Sequence, residues 1–295
     1  MLSRDIRRAL SKLGSGDSSV RRADADGGDE PHVATPAEPA GPFLSYPPLI
    51  FPRGEGADLV GTLGGAERVT ASGLPYWHID VEVAEVWPRC ADRLRTLSAT
   101  LGAGDEPDGL PPAFELLARH GADACLFLDI ETGGLWGNPV FLVGVLELGG
   151  GGPVLRFFLA RDLEEEIPLL EAFDQHWRRF GCLVTYNGRS FDAPFLTNRM
   201  TYWRIRGRPP ADHVDLLHLS RRLLRGDFPN FRLRTLEEMM LGRGREDDIP
   251  SAEVPAVFHE FTRSREPALL APILQHNAVD LVTLAELLAR HLERL

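Results

Sequence analysis

Two carboxylates at the end of an apolar segment have the spacing that would let them act together on one ligand. Asp129 and Glu131 close the run ACLFLDIE, which is typical of a strand buried on both faces. Residues two apart on a strand share a face, so both carboxylates point the same way. Neighbouring anions near a core repel each other and lose hydration, and a hard cation such as Mg²⁺ would compensate them. The alternative is a strand end carrying two solvated acids before a loop.

A third carboxylate, Asp192, ends the segment YNGRSFD. This segment follows the short apolar run CLVT and opens a helix predicted over residues 190–203. An Asp in the first turn of a helix is also favoured by the helix dipole alone. The Asn-Gly pair at Asn187 predicts a turn that uses left-handed backbone angles.

The fourth carboxylate, Asp280, lies in the last predicted helix, on an otherwise apolar face. An Asp in such a stripe is costly unless something pairs with it. His276 precedes it by one helical turn, and a carboxylate beside an imidazole suits metal binding and base catalysis. The alternatives are an Asp–His pair or an Asp–Asn bond at a helix crossing.

Taken in order, these segments resemble the motifs of the DEDD exonucleases, the proofreading-type branch of the ribonuclease H-like superfamily. The three matching motifs are LDIETGGL, YNGRSFDAPFL and HNAVDLVTL. The sequence is more similar still to the YprB-type ribonuclease H-like proteins, whose spacer segments resemble HVDLLHLSRRLL, LRTLEEMMLG and REDDIP. The resemblance covers roughly residues 121–290.

The resemblance implies a 3′–5′ exonuclease that hydrolyses phosphodiester bonds with two divalent ions, Mg²⁺ or Mn²⁺. It implies that four carboxylates hold the ions and that His276 is the general base; the four are Asp129, Glu131, Asp192 and Asp280. One departure concerns the base. DEDD enzymes with histidine usually place it five residues before the last Asp, and those with tyrosine four before, whereas His276 lies four before Asp280.

Residues beside these motifs receive secondary roles. Thr132 and Gly133 follow the first two carboxylates and are expected to contact the terminal sugar and base, because glycine permits close approach. Asn187 and Asn277 could bind substrate, although holding the ligands in place is the favoured role. Asp215 is interpreted mainly as a helix cap. Two aromatic residues, Trp136 and Phe191, are interpreted as core residues rather than as rings that stack on bases.

The charge distribution bears on the partner. The net charge is −11, whereas a nucleic-acid-binding protein is often basic. Between Arg204 and Arg245, however, ten Arg stand against five Asp and Glu, so this stretch could contact phosphates or could form a solvated surface. We expect no membrane span and no signal peptide, and hence a cytoplasmic protein that binds single-stranded DNA or RNA or a 3′ end. The sequence does not decide between DNA and RNA or identify a protein partner.

The elements that must position these residues form an α/β fold. We predict a ribonuclease H-like domain over residues 121–295, with a mixed five-stranded sheet flanked by helices. Two apolar runs around a glycine turn predict a hairpin, and apolar residues from 163 to 180 predict an amphipathic helix. Residues 1–42 are predicted to be mostly disordered, and residues 43–120 to form an arm of short strands and helix.

Three other functional interpretations stay open at this stage. The domain could be an inactive ribonuclease H-like module that only binds nucleic acid, although it retains all four carboxylates. It could be a phosphodiesterase acting on small nucleotides, which would need no surface for long strands. In a purely structural interpretation every carboxylate is a cap or surface charge, which four coincident positions in the right order disfavour.

Overall fold

The computed structural model describes residue 51 and residues 58–102, 111–245 and 248–295. One mixed sheet of seven strands, in the order β1-β2-β5-β4-β3-β6-β7, forms its centre. The strands are β1 (Ala66–Val69), β2 (Pro75–Glu82), β3 (Cys125–Thr132), β4 (Val140–Glu147), β5 (Val154–Leu159), β6 (Cys182–Thr185) and β7 (Asp212–Asp215).

Strand direction brings the functional edge of the sheet together. β3, β4 and β5 are antiparallel neighbours, with the predicted hairpin between β4 and β5. β6 and β7 instead run parallel to β3. The carboxyl ends of these three strands therefore meet at one edge of the sheet, which is where parallel strands commonly present functional residues.

Helices cover both faces of the sheet. In chain order they are α1 (Leu59–Leu63), α2 (Val83–Val86), α3 (Pro88–Gly102), α4 (Pro112–His120), α5 (Glu166–Trp177), α6 (Asp192–Tyr202), α7 (Leu216–Leu223), α8 (Leu233–Met240), α9 (Val254–Ser264) and α10 (Ala271–Glu293). The helix predicted over 163–180 is α5, and the one predicted over 190–203 is α6. The long helix α10 packs directly against β3 and β4, which carries its polar residues to the carboxyl end of β3.

The predicted α/β class is confirmed, but the predicted strand count was wrong. β1 and β2 come from the segment interpreted as an arm, and β2 pairs antiparallel with β5 along six residues. Without β2, the edge of β5 would expose unpaired backbone groups. Trp77 and Ile79 of β2 share one core with the central strands. The boundary at residue 120 stays a prediction, and residues 1–42 lie outside the described residues.

The last helix also corrects an expectation about apolar segments. The stretch Pro267–Glu293 is long and apolar enough to cross a membrane by length and composition. Within the fold, however, 83% of its most apolar window is buried. A helix at the centre of a globular core passes the same test, so this burial accounts for its composition.

Candidate active site

The four predicted carboxylates converge on one cavity at the carboxyl end of β3. The cavity has a volume of about 440 Å³. We call it the carboxylate pocket and define it by five lining side chains: Asp129, Glu131, Asp192, His276 and Asp280. Strand β3, helix α6 and helix α10 each contribute, so the three separate sequence motifs form a single site.

A glycine and an asparagine hold Asp129 in place. The Asn277 side chain on α10 donates from Nδ2 to Asp129 Oδ2 at 2.6 Å. Gly144 of β4 pairs with Asp129 across the sheet, and a Cβ atom there would overlap the Asn277 amide. The missing side chain therefore makes room for Asn277. The favoured interpretation of Asn277, as a residue that orients a ligand, agrees with this geometry.

A tight turn delivers Asp192 to the pocket. Asn187 has a φ of 62°, in the left-handed region that Asn tolerates, and α6 begins at Asp192. Buried Asp215 fastens this turn by accepting hydrogen bonds from the Asn187 and Arg189 backbone N–H groups at 2.9 and 3.1 Å. It also caps α7 by accepting from Leu217 N at 3.0 Å. Asp215 is thus the helix cap that the sequence favoured, and it supports the site indirectly.

Burial and mutual repulsion make the charged form of these carboxylates unfavourable. Burial, followed by the charges of Asp280, Asp192 and Glu131, raises the pKa of Asp129 well above its usual range. Burial is also the main cause that raises the pKa of Glu131 to about 8, and of Asp192 to about 7. At neutral pH the pocket therefore favours bound protons or a bound cation.

Arg245 is the arginine that reaches this group of acids. Its guanidinium forms ion pairs with Asp280, with Glu237 at 2.6 Å and with Asp248 at 3.0 Å. Sequence reasoning assigned no role to Arg245 or Asp248. The signal that could have found them is the segment REDDIP, which was interpreted only as a spacer.

His276 is buried between two acids. Its Nδ1 lies 2.9 Å from Asp248 Oδ1, and its Nε2 lies 3.7 Å from Asp280 Oδ2. Burial lowers the pKa of His276, but Asp280, Asp248 and Glu131 outweigh burial and raise that pKa to about 9. With Asp248 at Nδ1, the Nε2 atom is the one that faces the carboxylate pocket.

A second group of charges lies farther along α10. Thr283 donates to Glu237 at 2.5 Å, while Glu286 forms ion pairs with Arg243 at 2.5 Å and with Arg93 at 3.3 Å. We call this set, together with Arg245, the buried ion-pair network. Its two glutamates and two of its arginines, Arg243 and Arg245, have side chains no more than 5% exposed. The network ties α3, α8 and α10 together beneath the pocket.

The remaining predicted residues take varied positions. Thr132 and Asn187 line the pocket, and the Thr132 hydroxyl donates to Gly134 O at 2.6 Å. Gly133 does not line the pocket; its N–H bonds to Pro139 O. Trp136 was interpreted as core, but it is 52% exposed and stacks one face on Phe195. The other aromatic residue, Phe191, is partly buried and lines the pocket.

The donor set suits a hard divalent cation, although its present spacing does not hold one. Among the described ranges, no group of three His, Cys, Asp or Glu side chains has metal-binding geometry. Asp280 Oδ1 faces Arg245, and Asp129 Oδ2 faces Asn277. Buried carboxylates that are costly to ionise and share one cavity nevertheless have the chemistry that Mg²⁺ or Mn²⁺ requires.

Comparison with known proteins identifies a family and two similar proteins. The family model described as the RNase_H superfamily matches residues 126–292. The protein YprB of Bacillus subtilis (strain 168) is 34% identical over 166 residues, which are 55% of this chain and 40% of YprB. A family B DNA polymerase from the archaeon Pyrobaculum calidifontis is 18% identical with a TM-score of 0.43, covering 54% of this chain and 23% of the polymerase. The chain thus spans less than half the length of either protein.

Proposed function

Because this chain belongs to the RNase_H superfamily, we propose that it is a metal-dependent nuclease that hydrolyses phosphodiester bonds, as a 3′–5′ exonuclease. The observation that carries the proposal is the carboxylate pocket. Four carboxylates from three elements share one cavity, and burial raises the pKa of three of them. A fold that needed only stability would pair or omit such groups. The polarity of digestion comes from the resemblance to the DEDD exonucleases.

Asp129, Glu131, Asp192 and Asp280 would hold two ions, Mg²⁺ or Mn²⁺. The ions would supply Lewis-acid stabilisation of the attacking and leaving oxygens of the phosphodiester. Asn277 keeps Asp129 aimed into the pocket, and the turn fastened by Asp215 keeps Asp192 there. These supports fix the carboxylates before substrate arrives, which is what precise positioning of a phosphate requires.

His276 is the proposed general base. Its Nε2 atom faces Asp280 and the pocket. The neighbouring acids raise the pKa of His276 to about 9, so the imidazole is protonated at neutral pH while those acids are uncompensated. Cations held by the carboxylates would offset that charge, lower the pKa of His276 and free Nε2 to take the proton of the attacking water. Asp248 accepts the other ring proton at Nδ1 and fixes the orientation of the imidazole. This second contact gives the histidine a defined direction, although its spacing from Asp280 is that of the tyrosine-type enzymes.

The proposed substrate is a single-stranded 3′ end of DNA or RNA. Thr132 and Asn187 line the pocket beside the carboxylates and are placed to contact the terminal nucleotide. The exposed face of Trp136 lies at the same end of the sheet, and its other face stacks on Phe195 at 5.1 Å. An aromatic ring there can stack on a base.

The test is hydrolysis of 5′-labelled single-stranded DNA and RNA with Mn²⁺, with Mg²⁺ and with EDTA. We expect a metal-dependent ladder that shortens from the 3′ end. The matched control is Asp129→Asn rather than Asp280→Ala, because Asp280 is ion-paired with Arg245 and its removal would leave a buried arginine short of a partner. The Asn variant keeps the shape of the side chain and removes the charge.

The outcomes separate the competing functions. Internal cuts would keep the metal chemistry and make the protein an endonuclease. Binding of strands without cleavage under either metal would identify an inactive binding module. Hydrolysis of a dinucleotide together with no binding of long strands would identify a small-nucleotide phosphodiesterase. Each of these results would overturn the exonuclease proposal.

A further inference from the structure

A groove separate from the carboxylate pocket has an unusual composition for so acidic a chain. The groove lies between the β1–β2 hairpin and the loop that follows α6, and its volume is about 540 Å³. We call it the hairpin groove and define it by six lining side chains: Tyr76, Arg178, Trp203, Arg204, Ile205 and Arg206. It combines arginines with aromatic rings in a protein whose net charge is −11.

Two of the three groove arginines, Arg204 and Arg206, are available to a partner, whereas Arg178 is engaged by Asp174 and by the Arg206 carbonyl. Within the described part of the chain, the exposed side chains of Arg204 and Arg206 form no ion pair or side-chain hydrogen bond. Arg68 lines a smaller adjoining depression that shares Tyr76 with the groove; Arg179 lines it too, but lies 3.6 Å from Glu147. By contrast, two arginines of the same arginine-rich stretch form buried ion pairs: Arg243 with Glu286 and Arg245 with Glu237. The structure thus divides that stretch into structural and exposed arginines.

Two acids also line the groove and cancel part of its charge, so three arginines against Glu171 and Asp174 leave it positive by one. Asp174 is nearly fully buried and is engaged by Arg178 and by the Trp177 indole N–H. Glu171 accepts a hydrogen bond from Ser72 across the groove at 2.5 Å. Arg204 and Arg206 are exposed and form no ion pair in the described residues, so the groove keeps a positive charge despite Glu171.

Aromatic rings lie beside these cations. Tyr202 is 67% exposed and Trp203 is 36% exposed, and their rings pack edge to face at 4.8 Å. Trp203 is anchored because its indole N–H donates to Glu166 at 2.7 Å. Anchored aromatic faces beside arginines are the combination that binds single-stranded nucleic acid, through stacking on bases and contacts to phosphates.

Helix α6 connects the groove to the pocket. Asp192 lies at its first residue and Tyr202 at its last, so ten residue steps separate them, or about 15 Å at 1.5 Å per residue. A stacked strand advances about 3.4 Å per nucleotide, so about five nucleotides would cover this distance. A strand whose 3′ end occupies the carboxylate pocket could therefore reach the hairpin groove.

We propose that the hairpin groove is a second binding site for single-stranded nucleic acid, which holds the strand about five nucleotides from the 3′ end. This proposal rests on the proposed function for the direction of the strand. It predicts that affinity rises with strand length beyond about five nucleotides, and that the groove arginines carry this gain.

The test compares a 4-nucleotide and a 20-nucleotide strand bound to the full chain in EDTA, so that no strand is consumed. The variant is Arg204→Ala/Arg206→Ala. The matched control, Arg89→Ala/Arg119→Ala, removes two exposed arginines elsewhere and changes the net charge equally. We expect the groove variant to bind the 20-mer at least about tenfold more weakly, and its dependence on log salt to fall by about 1.4, since each phosphate contact contributes about 0.7 on single strands. Binding of the 4-mer is expected to be unchanged.

A third variant separates stacking from charge. Tyr202→Leu keeps an apolar side chain and the charge, and we expect it to weaken 20-mer binding at least fivefold through lost stacking. An abasic 20-mer is expected to bind wild type and Tyr202→Leu equally. If Tyr202→Leu binds the normal strand like wild type, and wild type binds the abasic 20-mer as tightly as the normal one, the groove is a site for anions only and the proposal is wrong.

The results distinguish this proposal from the proposed function. If the groove and control variants weaken 20-mer binding equally, only net charge matters and the groove is not a site, while metal-dependent cleavage of strands would stand. If no strand is cleaved with any metal, the exonuclease fails, while a loss of 20-mer binding confined to the groove variants would still support the groove.

Discussion

Helix α10 contributes one acid to each of two groups of buried charge, Asp280 to the carboxylate pocket and Glu286 to the buried ion-pair network, and the two groups are compensated differently. In the buried ion-pair network, Glu286 meets Arg243 and Arg93, and Glu237 meets Arg245. The carboxylate pocket lies nearer the amino end of α10. There, Asp129, Glu131 and Asp192, which come from β3 and α6, are buried with no ion pair in the described part of the chain.

This difference in pairing indicates which of the two groups needs a bound metal cation. A buried carboxylate that serves structure receives an arginine or, like Asp215, several backbone N–H donors, because an uncompensated buried charge costs several kcal/mol. The pocket carboxylates repel one another instead, and Asp280, at the boundary, belongs to both groups through Arg245. The two groups should therefore respond oppositely to loss of a charge: the network in stability and the pocket in activity.

The largest expected effect is on hydrolysis. Replacing Asp129 by Asn should reduce the rate of strand hydrolysis by about 10⁴-fold, or about 5.5 kcal/mol, because a metal-holding charge is lost. The melting temperature in EDTA should stay the same or rise, since one of several repelling charges is removed. The measurements are initial rates and thermal melts. A rate within tenfold of wild type would take Asp129 out of the proposed metal site.

The opposite result is expected for the network. Glu237→Gln removes the charge of the fully buried partner of Arg245, which keeps Asp280 and Asp248, and should lower the free energy of unfolding by about 1–3 kcal/mol. Urea titration followed by circular dichroism measures this loss. Since Arg245 also holds Asp280, activity would fall as well, so stability is the readout that decides. A loss below about 1 kcal/mol would show that the two groups of charge are not energetically different.

Addition of metal should stabilise the protein through the pocket alone. Mn²⁺ at about 100 times its dissociation constant should add about 2.7 kcal/mol to the free energy of unfolding. Calorimetric titration gives the dissociation constant, and thermal melts give the shift. The same addition to Asp129→Asn serves as the control and should produce a much smaller shift. Equal shifts in both proteins would place the metal elsewhere.

A substitution at Gly144 tests the close packing between β4 and the Asn277 side chain that holds Asp129. Gly144→Ala should destabilise the protein by about 1–3 kcal/mol, because the new methyl group overlaps the Asn277 amide that holds Asp129. A second change, Asn277→Ala, removes the overlap, so the double variant should be less destabilised than the sum of the single variants. Strict additivity of the two free-energy changes would contradict the proposed packing.

The sequence predicted the pocket better than its surroundings. Asp129 and Asp192 follow apolar runs that form central strands, and strand alternation and helical spacing depend only on local chain geometry. Arg245 and Asp248 lie in a loop without periodicity, so their contacts with Asp280 and His276 depend on tertiary folding. The same limit applies to β2, because nothing local to its sequence states that β5 has an open edge.

Outward-facing residues were predicted least well. Trp136 is large and apolar, so composition favours a buried position, yet the loop before β4 leaves it 52% exposed. Arg204 and Arg243 are equivalent in composition and were treated as one basic stretch. Only the tertiary fold distinguishes them: Arg204 is exposed after the end of α6, whereas Arg243 pairs with Glu286 of α10.

The smallest expected effect concerns His291, a buried polar group on α10 that carries no charge. Burial, and then Arg294, lower the pKa of His291 to about 4, and its Nε2 lies 2.9 Å from the Ser220 hydroxyl. Because the folded pKa lies below the unfolded value of about 6.5, the unfolded chain binds the proton more tightly. Stability from this group is therefore complete above pH 6.5 and is lost as the pH falls toward 4, by up to about 1.4 kcal/mol per pH unit. Unfolding measured from pH 7 to pH 5 should show this slope, and His291→Gln should reduce it. If the slope is unchanged in that variant, another group causes the acid sensitivity and the prediction for His291 is wrong.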